Sequence, residues 1–165
     1  MKNITKLKTV VSLLLIFGSS YTNAQITKAE IRATGLTCSM CSNAINKQLK
    51  SLTEVLNVET DLNTNTFTVT LKENNELNPK IFKDKVEKAG FFIGSLMITA
   101  KSEIISKNPY VVVNNKKSGV TETQFQVVDK GYVTDKEFKK LSKTYKDIST
   151  YVLNSEDDFH IKILN

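Results

Sequence analysis

The sequence predicts an α+β protein, with a β-α-β-β-α-β unit over residues 25–97 followed by a small β-rich unit over 98–165. Two observations point to the first unit. Apolar residues recur with period 2 and period 3.6 in that order, and Gly, Pro and Asn stand where one period gives way to the other. A third points to the second unit: beyond Met97, short alternating runs dominate and a single stretch has helical spacing. Leu, Ile and Val are too frequent for a disordered chain, and 165 residues with 40% hydrophobic content can bury a core.

Residues 1–24 read as a secretory signal. Lys2, Lys6 and Lys8 form a basic start, Val10 to Phe17 are apolar except for Ser12, and Thr22-Asn23-Ala24 puts small residues at the cleavage positions before Gln25. The apolar run is too short to span a bilayer, and no Cys follows it to receive a lipid. A periplasmic or secreted chain with no membrane span is therefore expected after cleavage. Cleavage removes three lysines and no acidic residue, so the formal charge falls from +6 to +3. With no Lys/Arg face carrying interleaved aromatics, nucleic acid is excluded as a partner.

The elements of the first unit follow in order. Ile26 to Ala33 alternates small or apolar side chains with charged ones, as a strand does. A loop then turns into a helix that ends near Leu52, with Cys41, Ile45, Gln48, Leu49 and Leu52 on one face. Val55 to Leu62 reads as a strand with Val58 and Leu62 on one face. Asp61 to Asn65 is a polar turn, and Thr66 to Leu71 alternates with Phe67, Val69 and Leu71 inward. Asn78 caps a second helix with Pro79 in its first turn, Phe82, Val86 and Ala89 mark its buried face, and Gly90 stops it. Phe91 to Met97 is the fourth strand. This order is the split-βαβ, ferredoxin-like plan.

The chain's two cysteines, Cys38 and Cys41, lie in Thr34-Gly35-Leu36-Thr37-Cys38-Ser39-Met40-Cys41, where the loop enters the first helix. The positive end of the helix dipole favours thiolates, the form that binds metals and attacks disulfides. The helical face puts Cys41 on the edge of the core and leaves Cys38 on the loop. A bridge across so short a spacing would hardly stabilise the fold, so the pair reads as chemical rather than structural. Two soft sulfurs without a neighbouring His or carboxylate suit Cu(I), with Hg(II) close behind; Zn(II), which normally takes four ligands, fits least.

Gly-Leu-Thr-Cys-Ser-Met-Cys, with Ile45, Leu49 and Leu52 behind it and Val86-Glu87-Lys88-Ala89-Gly90-Phe91 further on, resembles the heavy-metal-associated domain of copper chaperones, copper-pumping ATPases and the periplasmic mercury-scavenging protein. The resemblance covers residues 26–97. It implies that Cys38 and Cys41 are the metal ligands, that Phe91 is an apolar neighbour covering the site, and that a protein partner takes part in metal transfer. Leu36 stands where the family most often has Met, a substitution that costs little in packing. The family's zinc- and cadmium-type members often carry an acidic residue beside the first Cys, where this chain has Thr37 and Ser39.

The function expected is thus that of an exported, non-enzymatic soft-metal carrier that captures an ion and hands it on by thiolate exchange. The alternative is a thiol–disulfide oxidoreductase using the same pair. Against it, Thr37 precedes the first Cys where an aromatic is usual, and Met40 precedes the second where a proline is usual. Met40 reads as a bystander, His160 as a solvated strand residue rather than a ligand, and the Lys pairs 116–117 and 139–140 as surface charge.

In residues 98–165 the strand candidates are Ile98 to Ser106, Tyr110 to Asn114, Thr123 to Asp129, Thr150 to Asn154 and Phe159 to Leu164. Thr134-x-x-Glu137 is a capping box that opens a helix with Phe138, Leu141 and Tyr145 on its buried face. Five strands with a helix after the third resemble an OB-like barrel, with a second α+β sandwich as the alternative. The two units abut with almost no linker, so their relative orientation is expected to be fixed.

Overall fold

The computed structural model describes residues 26–37, 39–106, 109–119, 121–153 and 158–164. The segment 1–24, expected to be a secretory signal, lies outside the described residues, and so does Cys38.

In the first unit β1 (Ile26–Thr34) leads into α1 (Ser39–Lys50), β2 (Val55–Asp61) and β3 (Thr66–Leu71) form a hairpin, and α2 (Pro79–Lys88) returns the chain to β4 (Phe92–Lys101). Each element has a local cause. Phe67, Val69 and Leu71 alternate inward on β3 and are buried. The Asn78 side chain accepts the Lys80 N–H at 3.0 Å, with Pro79 at the first helical position, and Gly90 ends α2 at φ +88°. Ile45 and Leu49 of α1 and Phe82 and Val86 of α2 are fully buried in one core with Ala29, Ile31, Leu96 and Ile98 of the sheet. Leu62 departs from its expected place: it stands in the turn after β2 and is exposed, because the polar Asp61–Asn65 stretch breaks the strand one residue earlier.

The C-terminal part is not an OB-like barrel. Its strands β5 (Tyr110–Val112), β6 (Glu122–Val127) and β7 (Phe159–Ile163) extend the same sheet, in the order β2-β3-β1-β4-β6-β7-β5. The cause lies in β4. Its inward residues continue past Met97 with Ile98 and Ala100, and β6 pairs with it from Leu96↔Val127 to Lys101↔Glu122. The expected boundary at 97/98 therefore falls inside a strand, and the expected strand Ile98 to Ser106 is the end of β4 followed by the short helix α3 (Ser102–Ile105). Residues 150–153 of the expected strand Thr150 to Asn154 belong to a helix, α5 (Ser149–Leu153), and Asn154 lies outside the described residues.

The capped helix α4 (Asp135–Thr144) forms as expected, with Thr134 Oγ1 accepting the Glu137 N–H at 3.3 Å. Its apolar face is half-buried: Phe138, Leu141 and Tyr145 pack with Val113, Val128 and Tyr151 in a second, smaller core. Phe159, Ile161 and Ile163 of β7 point into the first core, whereas His160 between them meets the Tyr151 ring of α5. By strand alternation the two cores lie on opposite faces of the sheet. Lys83 of α2 ties the parts together, with its ammonium 5.5 Å from the centre of the Tyr132 ring and its side chain packed over Gly131.

Candidate metal centre

The end of β1 is tied to the start of β4, with Thr34 paired to Phe92 and Thr34 Oγ1 donating to the Phe92 carbonyl at 3.3 Å. Gly35 then turns the chain at φ +85°, a conformation that a side chain would strain. Leu36 packs against the core, Thr37 is exposed, and α1 begins at Ser39. Cys41 is half-buried in the first turn of α1, four and eight residues before the buried Ile45 and Leu49. That turn has no acidic side chain, so the positive end of the helix is left for an anion such as a thiolate to neutralise. Ser42 is buried beside Cys41, which the helical spacing alone did not single out.

The β2–β3 turn faces this loop. Asn65, held at φ +54°, accepts the Ala33 N–H at 3.0 Å, and a cleft of about 260 Å³ opens between Leu62 and Asn65 on one side and Leu36, Thr37, Ser39 and Ser42 on the other. Asp61 shapes the turn by accepting the Thr64 hydroxyl at 2.8 Å and the Asn63 N–H at 2.8 Å. Those bonds, the Thr64 hydroxyl first, hold its carboxyl below the usual range.

Residues 30–92 match the family model of the heavy-metal-associated domain. This segment is a heavy-metal-associated domain. Similar solved structures include the yeast copper transporter domain in apo and Cu(I)-loaded states, 35% identical over 39% of this chain and 88% of that one, with a TM-score of 0.36. The N-terminal domain of a potential copper-translocating P-type ATPase from Bacillus subtilis, Cu(I)-loaded, is 31% identical over 41% of this chain and 82% of that one, TM-score 0.36. The Atx1–Cu(I)–Ccc2a complex matches at 35% identity over 39% of this chain and 88% of that one, TM-score 0.35. Among curated proteins, none matches the chain.

Within the heavy-metal-associated domain, Phe91 is half-buried on the core beside Gly35, its Cδ1 3.9 Å from where a β-carbon on that glycine would stand. Met40 is 81% exposed, with its thioether turned to solvent. The donor chemistry fits a soft ion. Among the described residues no group of three or more His, Cys, Asp or Glu side chains could hold a metal.

His160 corrects the expectation of a solvated residue: it is completely buried. Its Nδ1–H donates to Asp129 Oδ1 at 2.7 Å, its backbone N–H donates to Asp129 Oδ2 at 2.7 Å, and Nε2 shares a hydrogen bond with the Thr150 hydroxyl at 2.8 Å. The Nδ1 direction follows from chemistry, since a carboxylate only accepts. With both nitrogens engaged, the ring has no lone pair to offer a metal. Asp129 and Thr150 went unnoticed in the sequence; the available signal was that Phe159-His160-Ile161 sits in a sheet covered on both faces, where alternation no longer marks an exposed side. The Lys pairs 116–117 and 139–140 are exposed.

Proposed function

We propose that the chain is a non-enzymatic carrier of a soft metal ion, Cu(I) before Hg(II), held between the thiolates of Cys38 and Cys41 and passed to a protein partner. The observation that carries this reading is the heavy-metal-associated segment itself, whose helix α1 starts beside the C-x-x-C pair with no acid in its first turn and with Cys41 half-buried. Two thiolates satisfy Cu(I), which accepts low coordination by sulfur. Hand-over proceeds by exchange: a partner thiolate forms a new Cu–S bond, one of the two original Cu–S bonds breaks, and the departing thiolate takes a proton from water. The copper keeps its oxidation state throughout. The signal-like residues 1–24 support a role outside the cytoplasm.

The test is metal analysis of the reduced protein in competition with a Cu(I) chelator. One equivalent of copper is expected, and Cys38→Ser and Cys41→Ser should each weaken binding by more than about 100-fold, beyond what an outer-sphere change produces. Tight stoichiometric binding in the double Ser variant would sink the reading.

A further inference from the structure

Helices α2 and α4 are both rich in lysine but handle the charge differently. On α2, Lys80 pairs with Asp84 at 3.1 Å and Lys83 with Glu87 at 3.9 Å, each four residues on. On α4, Lys136, Lys139, Lys140 and Lys143 are all exposed, and Lys146 is exposed directly after the C-cap. At 100° per residue the four helical lysines fall within roughly 100° of the circumference, opposite the face of Phe138, Leu141 and Tyr145. Lysines three and four residues apart repel and weaken the helix, and among the described residues none of the five makes an ion pair. Asp135 stands at the margin of this face, and the Glu137 carboxylate is turned to the sheet, where it accepts the Gln126 amide at 3.3 Å. Asp147 and the acidic run 156–158 lie beyond the helix. Residues 135–146 carry five lysines and two acids, a net +3, which equals the net charge of the whole chain from residue 25 onward; the remainder is neutral on balance.

We propose that the lysine face of α4 docks the protein onto a membrane surface of anionic lipid headgroups. Charge complementarity is the first argument: a self-repelling array on a helix fixed to the sheet is relieved by a surface of opposite sign. The residue types choose the kind of surface. The face has no arginine fork to grip a single carboxylate or phosphate in a set geometry, and no aromatic ring on which a base could stack, so it responds to the density of negative charge. The second argument is apolar. Helix α5, in the same layer as α4, exposes Val152 at 56% and Leu153 at 79%. A headgroup layer accepts charged and apolar side chains together, whereas an acidic protein surface would leave these two unused. Helices α4 and α5 lie on the sheet face opposite α1, so a docked molecule keeps the start of α1 clear of the lipid. The docking does not depend on the metal-binding reading.

The experiment uses the chain from Gln25 onward, which keeps every described element and removes the apolar run Val10–Phe17 that could itself bind lipid. Co-sedimentation is measured with vesicles of phosphatidylcholine alone and of phosphatidylcholine mixed with phosphatidylglycerol, at low and at high salt. Binding is expected only to the mixed vesicles and should fall as salt is added. At about fivefold per lysine, the variant Lys139→Gln, Lys140→Gln, Lys143→Gln should bind about 100-fold more weakly with its circular dichroism unchanged. The control Lys47→Gln, Lys50→Gln, Lys88→Gln removes the same charge from exposed positions on α1 and α2 and should weaken binding by no more than about threefold. No binding to the mixed vesicles, equal binding to neutral ones, or equal losses in the two triple variants overturns the docking. Release from the vesicles by soluble polyglutamate at the same charge concentration also overturns it and assigns the face to an acidic protein instead.

Discussion

The start of α1 and the Asp129–His160–Thr150 cluster each gather groups able to bind a metal or move a proton, and the fold treats them in opposite ways. Around Cys41 the neighbours Thr37, Ser39 and Met40 face solvent, and the first turn of the helix carries no acidic side chain. Around His160 the protein closes the ring off from the surface, and both ring nitrogens are already used, one by a carboxylate and one by a hydroxyl. The difference teaches that setting, as much as residue type, decides what a polar group can do: the His160 ring is closed in by Asp129, Thr150 and Tyr151, whereas Cys41 stands half-buried in a first helical turn whose neighbours are exposed.

The hardest test of that contrast is to break the buried cluster and watch the other end. Asp129→Ala removes the acceptor for two donors, the His160 ring and backbone N–H groups, and is expected to destabilise the fold by about 3 kcal/mol in denaturant unfolding. Copper stoichiometry at native conditions should not change. Lost copper binding in a variant that is still folded would make the cluster part of the metal site. A smaller effect distinguishes single polar contacts at the surface from that network: Asn78→Ala and Thr134→Ala each remove one helix cap and should cost about 1 kcal/mol, read from the unfolding midpoint at constant slope. Costs near that of Asp129→Ala would erase the distinction. The smallest effect is at the turn beside the cleft. Asp61 has its folded carboxyl lowered by Thr64 and Asn63, so its contribution is present above the unfolded carboxylate range and is lost as pH falls through the folded value. Its carboxyl carbon should titrate below the ordinary aspartate range by nuclear magnetic resonance; a midpoint at or above that range contradicts the turn geometry.

Up to Met97 nearly every element was legible, because each carries its own punctuation: Gly35 before the loop, Asn78-Pro79 at a helix start, Gly90 at its end, and strict alternation from Phe67 to Leu71. Past that point local signals compete with tertiary ones. Where β4 ends is set by its partner β6 as much as by its own residues, so Ile98 to Lys101 looked like the start of something new. Residues 149–153 make little more than one helical turn, too short for a period to show, and Thr150-Tyr151-Val152 has strand-like composition. His160 misled for a related reason: between Phe159 and Ile161 it has the outward position of a one-sided sheet, but α5 covers that side. At the candidate site, Cys41, Phe91 and Met40 were placed by the motif, while the buried Ser42 and the turn residue Asn65 needed the fold.

One consequence of the shared strand β4 concerns solubility. A strand left with an unpaired edge is a template onto which another chain can add, and a four-stranded unit ending in a ten-residue β4 rich in Ile, Leu and Phe would present a long one. Here β1 holds one side of β4 and β6 the other, so the sheet's outer strands are β2 and β5. Both make poor templates. Strand β5 spans only Tyr110–Val112, and β2 is kinked between Val55 and Asn57 and carries Glu59 and Asp61. By extending the sheet, the C-terminal residues move its open rim from an aggregation-prone strand to two that resist cross-chain growth.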